Sequence, residues 1–321
     1  MSGRFVAGRL VQLLPTTFAV LLVAFTLVHL APGDPVMALA GEHGDAAYYA
    51  FMRHRFGLDQ PLPRQFLTYL ARVAHGDLGY SYVYGRATLG VIAERIPATL
   101  LLTGTALVLS LLVAIPLGAA AASRPHGARD TALGAVALSL YSTPVFWAGQ
   151  LAILAFSLRL GILPVQGMTS AGDGGAGLWH VVDIGRHLVL PAITLALQEV
   201  ALFMRLTRST LLDELPRDHI RTARAKGLSE RQALLRHALP RALLPLVTVV
   251  GARVGHLIAG ATVVEIIFGW PGMGRLLLAS LQTRDTPILL GLFILVSVTV
   301  VVANLLADIA HASLDPRIRV R

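Results

Sequence analysis

Six stretches of the chain stay apolar long enough to cross roughly 30 Å of hydrocarbon, which takes about 20 helical residues. They are Leu10–Ala31, Ala98–Ala122, Thr131–Leu158, Leu188–Met204, Ala242–Val264 and Thr286–Ala307. The second, third and sixth hold no Asp, Glu, Lys or Arg. The fourth contains Glu199 and the fifth contains Arg253 and His256. Pro15, Pro116, Pro144 and Pro191 fall in or near these stretches, where packed neighbours make helix breaks tolerable. The pattern predicts an all-α membrane protein with six transmembrane helices. The first stretch follows Arg4 and Arg9, as a signal peptide would, but its 22 residues exceed the usual apolar core of about 7–15. Ala31-Pro32-Gly33-Asp34-Pro35 also lacks a small-x-small cleavage pattern. A retained helix is the expectation.

Composition agrees. Of 321 residues, 55% are hydrophobic and 14% charged, and mean hydropathy is +0.67. Soluble chains carry about 25% charged residues, so a water-soluble domain and a disordered chain are both excluded. The chain has no cysteine, which removes disulfides, thiolate metal sites and cysteine nucleophiles.

Charge orients the bundle, because cytoplasmic loops are enriched in Lys and Arg. With both termini inside, the inner segments 1–9, 123–130, 205–241 and 308–321 hold 16 of the 27 Lys and Arg. Each outer segment is balanced in charge, so the whole formal charge of +9 lies on the inner face. The positive-inside rule thus accounts for the basic character, and a nucleic-acid partner is not needed to explain it.

Two segments between spans are large. Residues 32–97 mix aromatics such as Tyr48, Phe51, Phe66 and Tyr80 with six acidic and six basic residues. That composition suits a small ordered cap with a few helices, not a flexible linker. Residues 205–241 carry clearer signals. Pro216 should end any continuation of the fourth span. Asp218 then sits in a first helical turn and Lys226 in a last one, beside Gly227 as a C′ residue. Ser229 with Gln232 three positions on is a capping-box pattern. Pro240 is expected to stop the second helix, whose face carries Leu228, Leu235 and Leu239 with Arg221, Arg224, Arg231 and Arg236 at its fringe. The result is a compact basic elbow. It suits docking against a protein, and equally an amphipathic elbow lying on anionic headgroups.

At these residues the chain resembles a known family. Arg221-Thr222-Ala223-Arg224-Ala225-Lys226-Gly227-Leu228-Ser229, followed by His237-Ala238-Leu239-Pro240, is similar to the "EAA" loop of ABC importer permeases. Ala223, Gly227 and Leu239-Pro240 keep its spacing, while Arg221 and Thr222 stand in place of its Glu and first Ala. Leu30-Ala31-Pro32-Gly33-Asp34-Pro35, Gly57-Leu58-Asp59-Gln60-Pro61, Gly76-Asp77-Leu78-Gly79, Pro271-Gly272-Met273-Gly274, Asn304-Leu305-Leu306-Ala307-Asp308 and Asp315-Pro316-Arg317 extend the likeness in order along the chain. Together they resemble the B-type permease subunit of dipeptide and oligopeptide ABC importers.

The resemblance implies a type I importer permease in the bacterial cytoplasmic (inner) membrane, with residues 1–321 as one transmembrane domain. Segment 32–97 would be an extracytoplasmic insertion and 205–241 a cytoplasmic coupling loop. It also implies a second homologous permease subunit, two cytoplasmic ATPase subunits and an extracytoplasmic substrate-binding protein. ATP and magnesium would bind the ATPase subunits, and this chain would need no cofactor. The docking segment would run through Arg221, Thr222, Ala223, Arg224, Ala225, Lys226, Gly227, Leu228, Ser229 and Glu230. Its cargo would be peptides, with a nickel chelate, glutathione or a sugar as alternatives. A self-contained secondary transporter would instead show inverted repeats, and no internal repeat is evident.

The residues restrict the chemistry further. A phosphate-binding loop needs Gly-Lys-Ser/Thr, and the only lysine, Lys226, precedes glycine. No HExxH and no Gly-x-Ser-x-Gly occurs, which argues against a metal site and a membrane enzyme. Glu199 and Arg253 each cost at least about 2.5–3.5 kcal/mol at mid-membrane. They are expected to pair across two helices, or with His256 to line the pore and meet a peptide's charged ends. Gly251 and Gly255 match GxxxG and predict close helix packing. Glu265, at the outer end of the fifth stretch, is expected as a hydrogen-bonded structural acid, with a substrate contact as the alternative, and 268–285 as an external loop with a short helix.

Overall fold

The computed structural model describes residues 17–26, 45–55, 59–81, 83–172 and 177–314, with the single positions 15, 30 and 57. The described helices are α1 (Thr17–Thr26), α2 (Ala46–Arg55), α3 (Leu62–Ala74), α4 (Thr88–Ala93), α5 (Ile96–Ala122) and α6 (Ala128–Ser142). Then come α7 (Val145–Arg159), α8 (Leu178–Glu214), α9 (Asp218–Ala225) and α10 (Glu230–Ala242). The chain continues as α11 (Leu244–Ile267), α12 (Met273–Thr283) and α13 (Thr286–Leu314). Strands β1 (Tyr80–Ser81) and β2 (Arg86–Ala87) form a short antiparallel hairpin. The chain forms two compact units. Among the described residues, one holds Thr99–Pro271 and 303–314, the other those up to Ala98 and Gly272–Val302.

All six apolar stretches carry helix, though not all as simple spans. Leu178–Glu214 and Thr286–Ala303 are unbroken and apolar enough to cross a membrane, as is Thr88–Ala122 once the turn at Glu94 and Arg95 between α4 and α5 is passed. The described part of the first stretch is the ten-residue α1 with the single positions Pro15 and Leu30, and the remainder of Leu10–Ala31, with the Ala31–Pro35 motif, lies outside the described residues. The third stretch is not one rod. It bends by 97° between α6 and α7, where Thr143 is extended and Pro144 caps the next helix. The residue before proline is driven out of the helical region, and here the carbonyl so exposed has a partner: Gln198 Nε2 donates to Thr143 O at 3.4 Å. Pro116 and Pro191 leave their helices running.

The fourth stretch is longer than expected, running 37 residues as α8. In the Thr99–Pro271 unit, α6, α7, α10 and α11 all pack on this helix. Its core joins Ala114, Ala137, Val200, Ala201, Phe203, Met204 and Leu246. Alpha helices in a membrane lack a hydrophobic drive to associate and rely on small residues for close approach. Gly118 shows this: a Cβ there would lie 2.7 Å from Met204 O and from Thr207 Cβ.

In the second unit, Leu21, Ala24, Phe25, Phe66 and Leu290 form the core. Phe25 and Phe66 rings are 5.1 Å apart. The segment expected as an ordered cap has α2, α3, the hairpin and α4. Ser81 Oγ donates to Asp285 Oδ2, and both residues are fully buried. Burial pushes the Asp285 carboxyl up, and the Ser81 hydroxyl pulls it partly back. The expected short helix in 268–285 is α12.

Candidate functional site

The elbow starts where α8 stops. Pro216 lies just past Glu214, and Arg217 is extended (φ −69°, ψ 152°) as it enters α9. Alpha 9 then ends in a Schellman arrangement: Gly227 N–H donates to Arg224 O at 2.9 Å and Leu228 N–H to Ala223 O at 3.3 Å. Gly227 has φ +88°, and a Cβ on it would meet nothing within 4 Å. Inside this chain, backbone handedness alone asks for glycine there.

Alpha 10 opens with the expected capping box. Ser229 Oγ accepts from Gln232 N–H at 3.3 Å, and Gln232 Oε1 accepts from Ser229 N–H at 3.1 Å. Arg224 Nη2 pairs with Glu230 Oε2 at 2.8 Å across the corner. Within the docking segment Ala223 is buried and Leu228 half-buried, whereas Arg221, Thr222, Arg224, Ala225, Lys226, Gly227, Ser229 and Glu230 are exposed.

Two expectations about α10 need correction. Pro240 does not stop it. A π turn over Leu234–Ala238 carries the backbone past the proline to Ala242, the wider turn relieving the clash that a proline ring makes with the carbonyl one turn back. The helix axis then bends by 46° before α11. Nor is Leu235 on the buried face: it is 43% exposed, and Leu234 packs instead at 8%. Ala233, Leu234, Ala238 and Ala242 close on Ile220, Leu211, Ala119 and Ala122.

Glu199 and Arg253 meet. Arg253 Nη2 donates to Glu199 Oε1 at 2.7 Å, and Nε to Oε2 at 3.1 Å. Glu199 is 4% exposed. This is the expected pairing between α8 and α11, with the planar guanidinium suited to a two-point contact. His256 lies on α11, but its side chain is outside the described residues. Glu265 is fully buried and accepts from Thr99 Oγ1 at 2.6 Å, as expected of a structural acid.

Two charged groupings went unnoticed in the sequence. Asp130 accepts a fork from Arg208, Nε to Oδ1 at 2.5 Å and Nη2 to Oδ2 at 2.6 Å, and also His126 N–H at 2.9 Å. Glu214, the last residue of α8, faces Arg217 Nε at 2.9 Å, His219 Nε2 at 3.2 Å and Arg241 Nη1 at 3.9 Å. Their signal was an acid at a helix end, Asp130 in a first turn where it is favoured and Glu214 in a last turn where it is not. Among the described residues, no group of three or more His, Asp or Glu side chains is placed to hold a metal ion.

The helical arrangement has a counterpart among solved structures. A chain of the MetNI methionine ABC transporter, in an inward-facing conformation, matches with a TM-score of 0.57. The match covers 71% of this chain and 97% of that one, at 16% sequence identity, so it shows the fold. Residues 114–320 match the family described as binding-protein-dependent transport system inner membrane component, and residues 2–103 match its N-terminal component. The chain belongs to this family. It is 38% identical to the dipeptide transport system permease protein DppB of Escherichia coli (strain K12), over 98% of each chain. It is also 38% identical to the glutathione transport system permease protein GsiC of the same strain, again over 98% of each. The protein is therefore a helical, multi-pass permease component of an ABC importer. Membership implies an ATPase and a substrate-binding protein as partners.

Proposed function

We propose that this chain forms half of a peptide-translocating pore and that its elbow receives the ATPase stroke. A second homologous permease subunit supplies the other half, two cytoplasmic ATPase subunits bind below, and a substrate-binding protein delivers peptide from above. Six helices span the membrane with both termini in the cytoplasm, and segment 32–97 lies on the outer side. The charge distribution supports that orientation, since all the net positive charge then faces inward.

One observation carries the coupling role. Residues 221–230 make a corner closed by its own caps and by the Arg224–Glu230 pair, backed by a buried apolar face and left exposed outward. A part that must pass on a push needs this combination of internal rigidity and an open face. ATP binding closes the ATPase dimer and tilts the bundle from inward- to outward-facing. Substrate then leaves the binding protein for the pore, and hydrolysis resets the cycle. Nucleotide and magnesium belong to the ATPase subunits. Glu199, Arg253 and His256 are the candidates for the pore lining, and within the Glu199–Arg253 pair the guanidinium is the more open group, at 25% side-chain exposure against 5% for the carboxylate.

Uptake of a labelled dipeptide by cells carrying the intact gene, a deletion or Gly227→Asp tests this. Unlabelled oligopeptides, glutathione and a nickel chelate serve as competitors. Uptake lost in both altered strains and blocked by peptides alone is the expected result. Competition by glutathione alone would replace the cargo while keeping the architecture.

A further inference from the structure

Glu214 is an unfavourable residue where it stands. A carboxylate in the last turn of a 37-residue helix meets the negative end of the helix dipole, and this one is 92% withdrawn from solvent, its side chain being 8% exposed. Buried charges are retained only when paired. Glu214 has basic side chains on two sides: Oε2 pairs with Arg217, while Oε1 faces His219 and Arg241 without a hydrogen bond. Arg217 at 2.9 Å and His219 at 3.2 Å belong to the entry into the elbow, whereas Arg241 at 3.9 Å lies near the end of the return helix α10. One carboxylate at the tip of α8 thus lies within ion-pair distance of both arms of the elbow.

Other links between the elbow and α8 are weaker guides of motion. The covalent link is the short stretch Leu215–Arg217. The apolar contact sets Leu211 of α8, beside Ala119 and Ala122 of α5, against Ile220, Ala233, Leu234, Ala238 and Ala242 of the elbow. Apolar burial is non-directional, whereas a carboxylate with Arg217 on one arm and Arg241 within ion-pair distance on the other sets a direction.

We infer that Glu214 is a positioning residue that makes the elbow and α8 move as one body, so that displacement of the elbow reaches the helix on which α6, α7, α10 and α11 all pack. The inference rests on the coupling role proposed for the elbow. Neutralising Glu214 leaves the elbow's own caps and its outward face intact. It therefore separates docking from transmission.

The test uses the whole importer, purified through a tag on this chain, reconstituted in liposomes with its binding protein, and supplied with whichever of a labelled dipeptide or glutathione the unaltered complex takes up. Glu214→Gln should retain the ATPase subunits in unchanged amount, while substrate moved per ATP hydrolysed falls about tenfold. Glu214→Asp, which keeps the charge, should recover part of that ratio. A ratio within twofold of the unaltered complex for Glu214→Gln overturns the inference. Should Glu214→Gln fail to insert, Arg241→Gln removes the return-arm contact at an exposed side chain. It should lower the ratio about threefold, and an unchanged ratio again overturns the inference. Gly227→Asp run in parallel distinguishes the two ideas. If it too keeps both ATPase retention and the ratio, the coupling role of the elbow falls. If it loses them while Glu214→Gln does not, only the transmission role of Glu214 falls.

Discussion

In the elbow, every polar contact that sets the corner joins near neighbours in sequence: Gly227 with Arg224, Leu228 with Ala223, Ser229 with Gln232, Arg224 with Glu230. Glu199 and Arg253 stand 54 positions apart and meet only because α8 and α11 pack together. The elbow contacts are solvent-exposed and individually worth little. The Glu199 pair is buried, where one partner without the other is costly. The elbow is therefore a place where function can be damaged with the fold intact. At the ion pair, the fold fails first.

The largest effect should come from Arg253→Gln alone. It leaves the Glu199 carboxylate buried without its guanidinium, at a cost of about 3–5 kcal/mol, seen as a lower thermal midpoint and less protein in the membrane. Glu199→Gln combined with Arg253→Gln should regain most of the loss, because two amides can hydrogen-bond to each other. If that double variant is well expressed and keeps its uptake selectivity, the pore-lining role falls and the pair is structural. Next comes Leu234→Ala, which empties a buried position and should cost about 2–4 kcal/mol. The neighbouring Leu235→Ala should stay within about 0.5 kcal/mol. Equal losses from the two would mean that Leu235 packs as fully as Leu234.

Gly227→Asp reverses the relation between stability and function. A left-handed residue with a side chain costs about 1–2 kcal/mol, and there is open space for it, so the protein should remain in the membrane while uptake is lost. Protein lost along with uptake would show a folding defect instead. The smallest effect is expected from Ser229→Ala, about 1 kcal/mol for an exposed N-cap. Uptake should fall only modestly, and a loss as complete as that of Gly227→Asp would mean that Ser229 itself touches the partner.

The same contrast explains what was legible in the sequence. Asp218, Lys226, Gly227, Ser229 and Gln232 each stand where a local rule puts them, and the two elbow helices follow from them. The Glu199–Arg253 pairing was readable in another way. Two isolated charges in apolar stretches must each find a partner or a wet cavity, and each was an obvious partner for the other. Glu214 and Asp130 gave no such warning, because both lie in charged segments where many partners were available and tertiary packing chose among them.

Prolines were the least legible feature. Pro116 and Pro191 pass within continuous helices, Pro240 is absorbed by a π turn, and Pro144 marks a 97° bend. What separates them is the surroundings. At Pro144, Gln198 on α8 reaches the exposed Thr143 carbonyl, which lets the break persist. The leucine face was set by the choice of row: Leu234 lies with Ala238 and Ala242, four positions apart, and Leu235 faces outward.

The most direct test of the account uses the absence of cysteine from the chain. A single cysteine introduced at Ala225, exposed at the elbow corner, can carry a short photoreactive cross-linker in native membranes holding the assembled importer. The account predicts a cross-link to an ATPase subunit whose yield changes when ATP is bound. A cross-link to lipid alone, unchanged by ATP, would contradict it and leave the elbow as a headgroup anchor.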